Sequence, residues 1–362
     1  MSVVAPPPAS SPPDELRGLK LGQIRTAFSP AVYRRSAAAA FGWLAVDLGF
    51  YVLFVALALL APHPVLAVGA GILAGVAVAS LFVWAHDAAH GALFGSARLS
   101  EVLGSAAMLP SFNVYRLWVH GHNKVHHGFT SFSPIDWIWR PKTPEEYLAA
   151  SRPARLVYRI ERSLPGCGLH YVLRVWWPGM VRYRGDAAAR RRHRYGPAKA
   201  LTFGWAAVSG AAAFWAAGIT GLVCAVVLPW VVFNYFIAFF VYLHHTHPRT
   251  VFYDDRRQWS APIGQLACST IVRASRWFEA MTHSILVHTP HHVDTRIPFY
   301  RLRQAWGELR EHYGHHVVEY RFRWSTVRSI FRSCQLYDFR AQVWLRFRDL
   351  RDLPALAAAH KP

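Results

Sequence analysis

The two longest apolar stretches of this 362-residue chain almost completely lack charged side chains. Residues 37–85 contain no Lys, Arg or Glu and one Asp, Asp47, and residues 201–243 contain no acidic or basic side chain. Hydrophobic residues make up 53% of the chain, which is more than a soluble domain of this length needs. The missing charge therefore excludes an ordinary soluble protein and predicts an integral membrane protein.

Each apolar stretch is about twice as long as the ~20 residues that a helix needs to cross a bilayer. Each is therefore predicted to form a helical hairpin. Pro62 and Pro64 interrupt the first stretch, and Gly218 and Gly221 interrupt the second. The sequence predicts four spanning helices, at about residues 40–60, 65–85, 200–217 and 221–243.

Basic residues are absent from both predicted hairpin turns. All 40 Lys and Arg residues lie in the N-terminal arm, in residues 86–200 and in residues 244–362. The positive-inside rule places these three segments on the cytoplasmic side, together with both termini. We therefore expect a multi-pass membrane protein with both termini on the cytoplasmic side.

Acidic residues are also scarce, with 20 Asp and Glu against 40 Lys and Arg, so the formal net charge is +20. In a membrane protein this excess indicates contact with anionic lipid headgroups, at about 1 kcal/mol per basic residue near the surface. Binding to nucleic acid is the less favoured interpretation. Docking of an acidic partner, such as a ferredoxin or an acyl carrier protein, is compatible with the lipid interpretation.

The chain has only four cysteines and no CxxC pair, so we expect no disulfides and a packing role for the thiols. The first residues are rich in Pro, Ala and Ser and show no signal-peptide pattern. We expect a disordered or interfacial arm over residues 1–36. The membrane domain is then predicted to span residues 37–350, and residues 351–362 form a tail.

Three histidine clusters lie just outside the apolar stretches, on the side predicted to face the cytoplasm. The clusters are His86 with His90; His122 with His126 and His127; and His288 with His291 and His292. A spacing of four residues places two imidazoles on one face of a helix, one turn apart. Pro290 is suited to the first turn of a helix that carries the third cluster.

These eight imidazoles are candidate catalytic and metal-binding residues. Neutral imidazoles with few carboxylates suit iron, zinc or copper and do not suit calcium or magnesium. Eight ligands are too many for one tetrahedral zinc, but they suit two metals with four or five protein ligands each. Two irons are favoured, because zinc has no redox chemistry and open positions on iron can take oxygen.

Further residues near the clusters are candidates for supporting roles. His245, at the end of the fourth predicted span, is the favoured ninth ligand, and His283 is a possible further ligand. Asp87 and Asp294 are expected to orient imidazoles through hydrogen bonds. His120 is expected to have an orienting or a structural role. One more histidine pattern, formed by His312, His315 and His316, is interpreted as a solvated helix end.

These motifs resemble those of the membrane-bound fatty acid desaturases, especially the omega-6 acyl-lipid type and its bacterial relatives. The likeness extends over about residues 40–350. It rests on His86-Asp87-Ala88-Ala89-His90-Gly91, on Trp118 with His122 to His127 and Thr130, on Tyr242-Leu243-His244-His245-Thr246-His247-Pro248, and on His288 to His292 with Ile297-Pro298-Phe299-Tyr300-Arg301-Leu302.

The resemblance implies an all-α membrane protein with four transmembrane helices in two hairpins and a cytoplasmic helical cap that carries a di-metal site. It implies two non-haem irons, O2 as co-substrate, and insertion of a cis double bond into a lipid-linked acyl chain. The sequence lacks the HPGG haem motif of a fused cytochrome b5. Electrons are therefore expected from an external donor, a ferredoxin, flavodoxin or cytochrome b5-like protein with its reductase.

Two departures from the family pattern keep other reactions open. Three residues separate His122 from His126, where many omega-6 desaturases have two, and Ala88-Ala89 replaces a common Cys-Gly. A hydroxylase or an acetylenase on the same scaffold is the alternative within the enzymes. A non-catalytic metal- or haem-binding membrane protein is the alternative of another class. It is less favoured, because a carrier places ionisable ligands at mid-bilayer and haem needs only one or two axial ligands.

Overall fold

Three helices are long and apolar enough to cross a membrane in the computed structural model of this chain, which describes residues 14–185 and 195–351. They are Ala37–Leu60, Pro64–Ala89 and the continuous run Tyr195–His245. The first two contain the predicted spans 40–60 and 65–85, and the third contains both remaining predicted spans. The rest of the described chain is mostly short helices, with very little strand.

The secondary structure is as follows. The α-helices are α1 (Asp14–Arg17), α2 (Leu21–Arg25), α3 (Ala37–Leu60), α4 (Pro64–Ala89), α5 (Ala97–Met108), α6 (Tyr115–Val119), α7 (His127–Phe129), α8 (Pro144–Ala149), α9 (Arg152–Glu161), α10 (Cys167–His170), α11 (Tyr195–Leu222), α12 (Leu228–His245), α13 (Arg276–Met281), α14 (His288–Val293), α15 (Leu302–Tyr313) and α16 (Trp324–Ser333). The π-helical segments are His120–His126, Tyr171–Arg182, Val223–Val227 and Ile263–Ala267. The 3-10 helices are Pro30–Tyr33, Leu109–Ser111, Phe299–Arg301, Gly314–His316 and Phe347–Arg351. The strands are β1 (Thr270–Arg273), β2 (Val318–Arg321), β3 (Leu336–Asp338) and β4 (Val343–Leu345).

Helices α3 and α4 begin where the sequence supplies helix caps. The Ser36 hydroxyl accepts a hydrogen bond from the backbone N–H of Ala39 and starts α3. The His63 side chain accepts from Val65 N–H, and Pro64 occupies the first position of α4. Helix α4 then packs against both α3 and α12, so it is far more buried than α3.

The backbone reverses direction inside the run Tyr195–His245. Ala217 (φ −145°, ψ 26°) and Gly218 (φ 58°, ψ −149°) are not helical. A Cβ placed on Gly221 would collide with the carbonyl oxygen of Ala213. Residues eight apart in a straight helix are separated by about 12 Å along its axis, so this proximity requires the chain to fold back between them. Gly218 permits the reversal because its positive φ is strained for other residues.

Two glycines allow close contact between α4 and the run that leads into α12. A Cβ on Gly71 would collide with the carbonyl oxygen of Cys224. A Cβ on Gly75, one turn later, would lie 2.5 Å from the Cβ of Val232. Small residues four apart are the usual means by which apolar helices approach each other closely in a membrane.

We therefore expect Gly75→Val to destabilise the protein by about 1–3 kcal/mol through overpacking. The matched control is Gly69→Val on the same helix, where an added Cβ meets nothing within 4 Å. Thermal unfolding in detergent should show a lower midpoint for Gly75→Val than for the control. Equal midpoints for the two variants would contradict the close packing of α4 against α12.

Histidines lie at the C-terminal ends of both α4 and α12, on the same side of the fold. Helix α4 ends at Ala89 beside His90, and α12 ends at His245. Strand β1 lies beside the end of α12, because the Thr270 hydroxyl donates to the carbonyl of Leu243 at 2.8 Å. Strand β1 pairs in parallel with β2, in the register Thr270↔Val318. Strands β3 and β4 form a separate antiparallel pair.

Helix α14, with the third histidine cluster, is held beside β1. An isolated bridge pairs Ile271 with Val287, the residue directly before α14. The hydroxyl of Ser269 donates to the hydroxyl oxygen of Thr289 at 3.0 Å. The third cluster is therefore brought to the ends of α4 and α12.

Residues 14–36, part of the predicted disordered or interfacial arm, pack against the C-terminal part of the chain. Leu16, Ile24 and Val32 are completely buried. The backbone N–H of Ser29 donates to the Glu308 carboxylate at 2.8 Å. Residues 1–13 and 352–362, which include most of the predicted tail, lie outside the described residues.

The cysteines were expected to be unpaired packing residues, and the structure confirms this. The four thiols are free and buried at Cys167, Cys224, Cys268 and Cys334.

Candidate metal centre

Nine histidines converge at the cytoplasmic-side ends predicted for α4 and α12, and they form two groups. Group 1 consists of His86, His90, His122, His127 and His291. Group 2 consists of His126, His245, His288 and His292. Within each group, one ring nitrogen of every member lies within 4.8 Å of the others. The groups are in contact, because the rings of His127 and His292 stack with their centroids 4.2 Å apart.

The second cluster is divided between the two groups because its helix is π-helical. The sequence predicted His122 and His126 on one face, as in an α-helix. Residues His120–His126 instead form a π-helical segment, in which residues five apart share a face. The Nε2 atoms of His122 and His127 are accordingly 3.1 Å apart in group 1. His126 turns the other way, and its Nε2 lies 3.2 Å from His245 Nε2 in group 2.

The third cluster is divided as well, by ordinary α-helical geometry. His288 and His292 are one turn apart on α14, and their Nε2 atoms are separated by 2.9 Å in group 2. His291 lies on the adjacent face, with its Nε2 3.2 Å from His127 Nε2 in group 1. His245, the favoured ninth ligand, is placed among the members of group 2.

The spacing of the ring nitrogens fits shared metal ligands. Ligands bound at about 2.1 Å from one ion are separated from each other by roughly 3.0–3.4 Å in octahedral or tetrahedral geometry. The observed Nε2–Nε2 distances within the groups are 2.9–3.2 Å. Sets of five and four imidazoles match the predicted pair of sites with four or five protein ligands each.

Five of the imidazoles favour the neutral state that binds metal. Burial, reinforced by the neighbouring imidazoles, lowers the pKa of the rings outside the long apolar helices well below the usual 6.5. This applies to His122, His127, His288, His291 and His292. A neutral ring keeps a lone pair on one nitrogen, so these residues do not have to lose a proton at pH 7 to act as ligands.

Several polar groups hold these rings in place, and only one of them was predicted. The expected one is Asp87, whose Oδ1 lies 2.9 Å from His86 Nδ1. Asp136 contacts His126 Nδ1 at 3.1 Å, and Gln265 contacts His292 Nδ1 at 2.7 Å. An acid surrounded by apolar residues in a chain poor in acids was a usable signal for Asp136. The sequence gives no comparable signal for Gln265.

Two sequence candidates lie apart from both groups. His283 was a possible further ligand, but its Nε2 is 2.6 Å from Oδ2 of buried Asp47. Asp294 was expected to orient an imidazole. Its carboxylate instead accepts hydrogen bonds from Arg296 Nη2 at 2.6 Å and from Tyr33 Oη at 3.0 Å. No imidazole is among the hydrogen-bond partners of Asp294 in the described parts of the chain.

Other histidines near the clusters are also outside the two groups. His120 follows α6 and faces Tyr183. His312 and His315 are exposed at the end of α15, and His316 lies near Glu15. His244 stacks on His288 with ring centroids 3.8 Å apart. Neither nitrogen of His244 has a hydrogen-bond partner in the described parts of the chain.

An apolar cavity of about 500 Å3 lies against both groups. Its apolar wall includes Phe82, Trp118, Tyr171, Phe240, Val241 and Ile285. Histidines of both groups complete the wall: His86 and His122 from group 1, and His126, His245 and His288 from group 2. An apolar wall with a few polar groups suits an apolar ligand.

Helices of membrane-spanning length and two histidine groups against an apolar cavity indicate a membrane protein with a histidine-rich candidate metal centre. Comparison with known proteins makes this specific, because the family model for fatty acid desaturases matches residues 62–324. The chain belongs to the fatty acid desaturase family, and it is an oxidoreductase of that family. This confirms the family predicted from the histidine motifs.

Three relatives illustrate the similarity. The sn-1 oleoyl-lipid 12-desaturase of Picosynechococcus sp. is 27% identical over 93% of this chain and 95% of its own length. The sn-1 oleoyl-lipid 12-desaturase of Synechocystis sp. is 30% identical over 73% of this chain and 74% of its own length. The chloroplastic omega-6 fatty acid desaturase of Arabidopsis thaliana is 27% identical over 73% of this chain and 58% of its own length.

Proposed function

We propose that this protein uses two non-haem irons, O2 and two electrons to introduce a cis double bond into a lipid-linked acyl chain. The observation that carries the proposal is the shared wall: histidines of both groups line one apolar cavity. Two irons supply the oxidising power that an unactivated methylene requires. The names of the relatives, lipid 12-desaturases and omega-6 desaturases, support an acyl-lipid substrate.

The residues of the chain provide binding, orientation and exclusion of water. The nine imidazoles of groups 1 and 2 are the ligands that would hold the two irons. The apolar wall, with Phe240, Val241 and Ile285, would hold an extended acyl chain against them. Tight positioning matters because displacement of the reacting carbon by about 1 Å can cost 100-fold in rate. An apolar lining also keeps water away from the oxidant.

The proposal includes four transmembrane helices in two hairpins. The fold-back at Ala217 and Gly218 supports two crossings within the run Tyr195–His245. At about 1.5 Å per residue, that run is also roughly twice as long as one crossing requires. The absence of Lys and Arg from both turns supports a cytoplasmic position for the histidine groups and for both termini. A bacterial inner membrane is the proposed location.

An external electron donor is proposed to dock beside group 1. An open pocket there has His90 in its wall and is lined by four basic residues and one acid, Glu101, which pairs with Arg116. The other basic residues are Arg35, Lys124 and Arg296. Positive charge of this kind increases the encounter rate with acidic partners. A ferredoxin, a flavodoxin or a cytochrome b5-like protein, with its reductase, has suitable chemistry. The same basic surface suits anionic lipid headgroups.

Lipid analysis of a host that expresses the chain tests the reaction. We expect acyl lipids that are lighter by two hydrogens, with oleoyl lipid as the first substrate to examine because of the relatives' names. Mass spectrometry of lipid extracts, with an empty vector as control, measures this. A gain of one oxygen would indicate the hydroxylase alternative, and a loss of four hydrogens the acetylenase. Unchanged lipids in a host that supplies iron and donor would favour a non-catalytic protein.

A further inference from the structure

Hydrogen bonds from the protein hold the rings of group 2 in position without a metal. Asp136 Oδ2 lies 3.1 Å from Nδ1 of His126. The same carboxylate accepts backbone hydrogen bonds from Ser131 at 3.0 Å and Ile138 at 3.1 Å, so it cannot turn away. The Nε2 of His126 is therefore directed at the centre of the group.

Two other rings of group 2 are held through Nδ1 in the same way. His292 Nδ1 is 2.7 Å from Gln265 Oε1, and the Gln265 amide in turn donates to the carbonyl of His127. His245 Nδ1 is 3.1 Å from the carbonyl oxygen of Cys268. The fourth ring, His288, is covered by the stacked ring of His244. All four members of the group are buried.

Group 1 has far less support. Among the described residues, only His86 has a hydrogen-bond partner outside the group, the carboxylate of Asp87 at 2.9 Å. His122 stacks on Trp118 with ring centroids 4.2 Å apart, as His288 does on His244. His127 Nδ1 and His291 Nδ1 are buried but have no hydrogen-bond partner in the described parts of the chain, whereas in group 2 this is true of His288 Nδ1 alone. The group is also closer to solvent, because three of its five members are only half-buried and His90 lines the open basic pocket.

The weaker hydrogen-bond support of group 1 and its contact with solvent should both make its metal bind more weakly and exchange faster. Groups that orient a ligating histidine typically contribute 10–100-fold to metal affinity. Rings without such partners must be ordered when the metal binds, which weakens binding. Group 1 has one imidazole more than group 2, which opposes this effect. We expect that the extra ring does not compensate for four rings that lack a hydrogen-bond partner outside the group in the described residues, and solvent contact also favours exchange.

On the basis of the proposed di-metal function, we propose that the two metal sites are unequal by construction. Group 2 binds its ion first and retains it, with Asp136 and Gln265 as positioning residues. Group 1 binds the second ion more weakly and exchanges it with solvent through the pocket at His90.

Stepwise binding of Co2+ to the metal-free protein tests this inference. Protein in detergent is stripped with a chelator and titrated with Co2+ against a chromogenic competitor, and visible absorption reports the ligands. We expect two equivalents in two steps whose dissociation constants differ by about tenfold or more. Asp136→Asn should weaken binding at group 2 by about 10–100-fold, enough to remove or reverse the difference between the steps, and leave the affinity of group 1 unchanged.

Neighbouring residues provide matched controls. His291→Ala should retain the tight step and lose the weak one, whereas His292→Ala on the same helix should lose the tight step. Asp87→Asn should weaken only the second step. Release kinetics of the unaltered protein need no variant: with excess chelator, one equivalent should leave rapidly and the other slowly.

Several results would overturn the inference. They are two equal steps in the unaltered protein, a first step that Asp136→Asn leaves unchanged, or loss of the tight step in His291→Ala. Such results would leave the di-metal function intact, because two ions still bind. Fewer than two equivalents in the unaltered protein would instead refute the di-metal function, and the inference with it.

Discussion

Replacing His126 by alanine is expected to reduce lipid desaturation by at least about 100-fold and to lower the bound iron from two equivalents to about one. His126 belongs to group 2, and its Nε2 is 3.2 Å from that of His245. Its loss removes one of four ligands and leaves the buried Asp136 carboxylate without its imidazole partner. Iron analysis of the purified protein and mass spectrometry of host lipids measure the two effects.

His312→Ala is the matched control for this prediction. His312 belongs to a similar sequence pattern, but it is exposed at the end of α15 and lies outside both groups. It should keep two irons and full activity. His126→Gln, which retains most of the side-chain volume, distinguishes loss of a ligand from loss of packing. If His126→Ala folded and retained two irons with normal turnover, groups 1 and 2 would not be the metal centre.

The elements that the sequence predicts well are those determined by local composition. Stretches without charge predicted the long apolar helices, and the boundaries of α3 and α4 lie within a few residues of the predicted spans. The three clusters were predicted to converge, and the structure brings all eight of their imidazoles together with His245. Such features depend on hydrophobicity and short-range spacing, which the sequence displays directly.

Features that depend on helix type or on distant partners were not predictable. Pairing of His122 with His127 requires a π-helical segment, whereas the spacing itself suggested a pair with His126. Gln265 reaches His292 only because the π-helical segment Ile263–Ala267 packs beside α14. The contact of His283 with Asp47 was not predictable either, because Asp47 is 236 positions away in the chain. Contacts of this kind exist only after the chain has folded.

Filling the cavity is expected to separate substrate binding from metal binding. Val241 lines the cavity on α12, one turn before His245. Val241→Trp should occupy the space beside group 2 and displace the acyl chain from the histidines. Because a misplacement of about 1 Å can cost 100-fold in rate, we expect desaturation to fall by about that factor. The iron content should remain at two, since no ligand or ligand partner is changed.

Val231→Trp on the same helix is the matched control. Val231 is 49% exposed on the outside of the fold and does not line the cavity, so this variant should keep both iron and activity. Lipid analysis and iron analysis of the two proteins, side by side, give the comparison.

Normal desaturation by Val241→Trp would place the acyl chain elsewhere. Loss of iron in that variant would show that α12 had shifted, and Val241→Leu would then be the milder substitution to measure. Val241 and His245 lie one turn apart on α12, the first in the cavity wall and the second in group 2. Reduced turnover with both irons bound would therefore show that this turn of α12 binds the acyl chain and the metal through different side chains.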